Sequence, residues 1–145
     1  MKPVQYFALT VGILFLLVGI MGFVPSLVQV PTASDGADLG FTAGYGYLLG
    51  LFPINLLHNL VHLTVGVLGI LASIALDSAR LYSGILGIFY AVLTVMGLLP
   101  VANTTFGLIP IFGHDVWLHA VTSAAAIYFG FIATPDLLEI SEGKQ

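Results

Sequence analysis

Apolar positions run along this chain in four long stretches that no Asp, Glu, Lys or Arg interrupts: Val4–Val24, Pro53–Leu76, Leu81–Leu99 and Val116–Thr134. A helix needs about 20 mostly apolar residues to cross the hydrocarbon of a bilayer. The pattern therefore predicts an all-α fold, a four-helix transmembrane bundle, as a single transmembrane domain over residues 1–145. Helix punctuation supports the spans. Pro3 suits the first turn of the first helix and Pro25 follows its end; Pro53 suits the first turn of the second. Asp77 and Ser78 predict a tight link, with Arg80 opening the third helix, Pro100 stopping it, and Asp115 as N-cap of the fourth. Pro135 and "DLLEISEGKQ" close the chain with a polar tail. The first stretch is longer than a signal-peptide core, and no small-residue cleavage site follows it, so it reads as a retained helix.

The second stretch breaks its own apolar pattern. "NLLHNLVHLTVG" places Asn55, His58, Asn59 and His62 in an otherwise oily run. At 100° per residue these four share one helix face, which continues as Gly66, Gly69 and Ser73. Polar groups seek partners across helix interfaces in a membrane, and small residues let backbones approach, so this stripe predicts an inward face. The fourth stretch carries a matching stripe of His119, Thr122, Ser123, Ala126 and Gly130. "LLHNLVHLTVGVLG" aligns with "WLHAVTSAAAIYFG", His58 on His119 and Gly69 on Gly130; "VGIMGFVP" aligns with "LTVMGLLP". This predicts two pseudo-repeated helix pairs. Helices 2 and 4 would then run parallel, with His58 and His119 facing each other. Gly66, Gly69, Ala126 and Gly130 would let those two backbones close below the rings.

Composition narrows the class. The 145 residues are 59% hydrophobic and 7% charged, against roughly 25% charged in soluble domains, and mean hydropathy is +1.09. The chain has no Cys, which excludes disulfides, thiolate ligands and iron–sulfur clusters. Lys2, Arg80 and Lys144 are its only basic residues, too few for a nucleic-acid surface. In a four-span topology all three lie on one side, so the positive-inside rule places both termini in the cytoplasm, in an inner or plasma membrane. The opposite side carries Asp35, Asp38, His114 and Asp115, and the "YLLGLF" stretch reads as re-entrant or interfacial. Tyr45, Tyr47 and Trp117 suit the membrane interface.

The histidines leave several chemistries open. His58 and His119, from two helices, suit the bis-His ligation of a tetrapyrrole such as haem, and a single His suits a chlorophyll-type pigment. His58 and His62, one turn apart, let two imidazoles reach one metal ion, with His119 and His114 or Asp115 completing the set. The bland reading makes Asn55, Asn59, Thr122, Ser123 and the histidines interhelical hydrogen-bond glue, in a structural or assembly partner of a larger membrane complex or in a homo-oligomer. Proton handling is a further possibility. An enzyme is disfavoured: no carboxylate lies in any span and no nucleophile–base pair is evident.

"GLFPINLLHNLVHLTVGVLGI", "VWLH" and "QYFALTVGILFLLVGIMGFVP" together resemble a bacterial family of small membrane proteins catalogued as domain of unknown function 4383 (DUF4383). The resemblance runs from Pro3 to about Ala133; residues 26–47 and 100–114 match it poorly. It implies a four-span integral membrane protein and no activity. His58, Asn59, His62 and His119 are the positions that match its motifs. The compact acidic form is similar to cyanobacterial members, for which a thylakoid location would follow.

Overall fold

The computed structural model describes residues 1–32 and 37–133. Asp35, Thr134, Pro135 and the polar tail lie outside the described residues. Four helices carry the fold: α1 (Pro3–Met21), α2 (Leu56–Ala72), α3 (Leu76–Leu98) and α4 (His114–Ile127), the last continuing as a π-helical turn over Tyr128–Ile132. By length and composition α1, α3 and α4 with its π turn are able to cross a membrane. At 17 residues α2 is shorter, about 26 Å at 1.5 Å per residue.

Three boundaries depart from the punctuation expected of them. Pro53 does not open α2. It sits in a short strand, and Asn55 is the N-cap, its Oδ1 accepting from the His58 backbone N–H at 2.9 Å. Asp77 and Ser78 do not form the link between helices 2 and 3. They lie in the first turn of α3, where a carboxylate meets the positive end of the helix dipole. Gly113, at φ 65°, is the N-cap of α4, and Asp115 is displaced into its first turn.

The "YLLGLF" stretch is not a re-entrant segment. Strands β1 (Val28–Gln29), β2 (Gly46–Leu48) and β3 (Phe52–Ile54) form a small antiparallel sheet in the order β1-β2-β3. Leu48 pairs with Phe52, and the chain reverses through Leu49 and Gly50, both at positive φ. A hairpin satisfies its backbone groups by pairing, which a lone extended segment cannot do near lipid.

The bundle buries polar and small residues beside an apolar core that includes Tyr90 and Leu86, and its outside is apolar. Its buried residues include Gln5, Asn55, His58, Asn59, His62, Ser83, His119 and Ser123. Leu14, Leu17, Leu68, Leu71, Ile85, Ile88 and Val121 are each about half exposed or more. A soluble protein does not leave such an apolar belt uncovered; a lipid bilayer is the environment that fits it.

Packing joins α1 to α2 and α3 to α4, with α1 also crossing α3. A Cβ added at Gly12 would lie 2.7 Å from the Ile70 nitrogen, and one at Gly66 2.6 Å from the Leu16 nitrogen. On the other pair, a Cβ at Gly130 would lie 2.6 Å from the Gly84 nitrogen, and Gly87 abuts Ile127. The expected closure of helices 2 and 4 on Gly66, Gly69, Ala126 and Gly130 is therefore corrected. Those residues close α2 on α1 and α4 on α3, while α2 and α4 are not a packed pair. Small residues serve whichever neighbour comes nearest, and here that is the sequence-adjacent helix of each pair.

Candidate metal centre

The loop end of the bundle, where α2 and α4 begin, gathers the polar side chains. Asn55 builds the local frame. Its Oδ1 caps α2, and its Nδ2 donates to the carbonyls of Leu108 (2.7 Å) and Phe41 (3.3 Å), tying both loops to the helix. Asn59 donates to the Gly22 carbonyl at the end of α1 at 3.0 Å, and Ser123 donates from α4 to the Gly87 carbonyl at 2.8 Å. Thr122 lines a cavity.

Between these anchors stand His58, Asp115 and His119, all buried. One donor atom from each lies within 4.8 Å of the other two. The His58 Nδ1 is 3.1 Å from the Pro53 carbonyl oxygen. A carbonyl only accepts, so in the neutral ring Nδ1 carries the proton and Nε2 keeps its lone pair. Donation of one imidazole N–H to a backbone carbonyl is the usual way a metal-binding histidine is oriented. Asp115 Oδ2 stands 3.8 Å from His58 Nδ1, too far for a hydrogen bond. Asp115 Oδ2, His119 Nδ1 and His62 Nδ1 are buried without hydrogen-bond partners. An unpaired buried polar group costs roughly 1–3 kcal/mol, more for a charged one.

His62 follows His58 by one turn. Its ring lies 4.4 Å from that of His58 and 5.4 Å from that of Phe15. The His119 ring meets Tyr90 edge-on at 5.0 Å and stands 6.5 Å from His58. Neither His58 nor His119 turns to lipid. His114 is not brought to the cluster. It is exposed, and its Nδ1 accepts from Trp117 Nε1 at 3.1 Å. Consecutive helical residues point about 100° apart, and Asp115 takes the inward direction. Of the two expectations for Asp115, the N-cap is corrected, since Gly113 takes that place, while the carboxylate stands beside the histidines as a completing ligand would. The signal was available: Asp115 and His119 have the same i, i+4 spacing as His58 and His62.

Two imidazoles and one carboxylate suit first-row divalent ions such as zinc, manganese or ferrous iron. Bonds of about 2.0–2.2 Å would place the donors roughly 3–4 Å apart, against the 4.8 Å within which they lie here. Beside the donors a cavity of about 410 Å³ opens between α1 and α4, walled by apolar and aromatic side chains.

The chain matches the family described as Domain of unknown function (DUF4383) over residues 5–132. No curated protein and no solved structure matches it.

Proposed function

The chain belongs to the DUF4383 family, and we propose that this member is a non-enzymatic membrane subunit that binds one divalent transition-metal ion through His58, Asp115 and His119. The observation that carries this reading is the convergence of three buried donors from two helices that do not otherwise pack together. An ion at that point supplies the partner that Asp115 Oδ2 lacks, and it bridges the two helix pairs. Asn55 and the Pro53 carbonyl are then the supports that aim His58.

A tetrapyrrole is the weaker reading. Bis-His ligation by His58 and His119 would need a free plane, the width of a macrocycle, between the rings. The Asp115 carboxylate stands 3.8 Å from His58, and the His62 ring lies against His58 at 4.4 Å. Hydrogen-bond glue accounts for Asn55, Ser123 and the Asn59 amide nitrogen. It does not account for donors that meet without bonding.

The test is metal analysis of purified protein after equilibration with zinc, manganese or ferrous iron and removal of excess. The expected result is about one equivalent in the wild type. His58→Ala and His119→Ala should each lose most of it, and His114→Ala should keep it. Wild-type protein holding no more metal than a His58→Ala/His119→Ala double variant would overturn the proposal and leave the assembly role.

A further inference from the structure

The cavity beside the proposed metal donors has two features an ion on His58, Asp115 and His119 does not explain, its apolar walls and His62. It runs between α1 and α4 and under the β2–β3 hairpin, with Val11, Phe15 and Leu118 among its walls. The stack of Phe7 on Phe129, ring centroids 4.8 Å apart, joins α1 to the π turn at the far end. Leu14, Leu49 and Val121 line the cavity yet are 56%, 51% and 62% exposed. They form a mouth on the apolar outer surface of the bundle, where lipid would stand. The inner end is polar: His62, Asp115 and His119, each more than nine-tenths buried, line the cavity and carry the unpartnered atoms His62 Nδ1, Asp115 Oδ2 and His119 Nδ1.

We infer that this groove takes a neutral, flat, membrane-soluble amphiphile of the quinone or quinol class, entering from the bilayer between α1 and α4 and seating its ring oxygen at His62, Asp115 and His119. The volume of about 410 Å³ lies within the usual range of small-molecule sites. It has room for an aromatic head and the first part of an apolar tail, with the remainder leaving through the mouth. The rings of Phe15, His62 and Tyr90 give a flat head faces to pack against. Imidazole N–H groups donate to a carbonyl oxygen, and the carboxylate accepts from a quinol hydroxyl.

The charge distribution selects against ionic heads. No Lys or Arg lines the cavity. A fatty acid or phospholipid would bring a negative charge to Asp115 with no cation to offset the repulsion or its desolvation. The site goes beyond the metal reading: Asp115 and His119 face the ring oxygen only when no ion holds them, while the walls and His62 serve the amphiphile in either state.

The experiment is photocrosslinking of the protein in nanodiscs with an azido-ubiquinone of short tail, without metal and again with zinc. Labelled peptides are mapped by mass spectrometry. The expected result is saturable labelling of about one equivalent on α1 and α4 in the metal-free protein. Excess decylubiquinone should compete with it, and excess palmitate should not. Ala125→Phe fills the cavity away from the donors and should cut labelling at least tenfold while the protein keeps its metal content and thermal midpoint. His62→Leu, which spares the three proposed metal ligands, should also lower labelling. Labelling spread over all lipid-facing helices, or equally competed by palmitate, would overturn the inference. So would labelling unchanged in both variants. Labelling that persists in a protein binding no metal would sink the metal proposal alone.

Discussion

At the scale of single residues, Asp115 is where the chemistry concentrates. It is buried among histidines with one oxygen unpartnered. Asp115→Asn keeps the shape and removes the charge. Metal affinity should fall more than tenfold, about 1.4 kcal/mol or more. The metal-free protein should become more stable, because a lone buried carboxylate no longer has to be desolvated. Thermal unfolding with and without zinc reads both effects: a zinc-dependent rise in the wild type, and a higher zinc-free midpoint with no rise in the variant. A variant that loses stability without zinc would show that Asp115 has a structural partner. Asn55 makes a different prediction. Asn55→Ala removes the cap of α2 and two bonds to loop carbonyls. It should destabilise by roughly 2–4 kcal/mol and lower metal occupancy as well, since the first turn of α2 carries His58. Unfolding of detergent-solubilised protein, paired with metal analysis, checks both.

At the scale of helices, the glycines decide which elements pair. Gly12 meets the backbone of α2, where no side chain can move aside. Gly12→Leu should force α1 from α2 at a cost of about 3 kcal/mol, the upper part of the overpacking range. Gly40, in the first loop, has its nearest neighbour at 3.7 Å, so Gly40→Ala should stay within about 0.5 kcal/mol of the wild type. The contrast in thermal midpoints between these two substitutions is the check. Equal effects would mean that the α1–α2 seam is not closely packed. The π turn at Tyr128–Ile132 belongs to the same account: Gly130, within it, lies against Gly84 of α3.

At the scale of the whole molecule, the exposed apolar belt and the even number of helices bear on topology. The link after α2 and the loop after α3 lie at opposite ends of the bundle. The chain lacks Cys, so a single introduced thiol reports its own side. Ser78 and Phe106 are both exposed. Ser78→Cys should react with a membrane-impermeant maleimide only from the cytoplasmic face, and Phe106→Cys only from the other. The basis is Lys2 and Arg80, which sit at the same end of the bundle as Ser78. Reaction of both thiols from one face would contradict the four-span topology.

Much of this architecture was legible in the residues alone. Four uninterrupted apolar runs, His58, Asn59 and His62 on one stripe with Gly66 and Gly69, and His119 on a second stripe dictated four helices and their inward faces. Lipid offers no hydrogen bonds, so in such a chain the polar pattern alone says which way each helix turns. Other features belong to the tertiary structure. Neighbour choice depends on which backbones come within van der Waals reach, so the glycines of α2 closed on α1 rather than on α4. The β2–β3 hairpin rests on pairing between Leu48 and Phe52, which no periodicity in so short a stretch announces. Asp115 joined the histidines because Gly113, with its positive φ, took the N-cap position and turned the first helical turn inward. A helix start that only the folded chain fixes thus decided that this carboxylate faces two imidazoles instead of the end of its own helix.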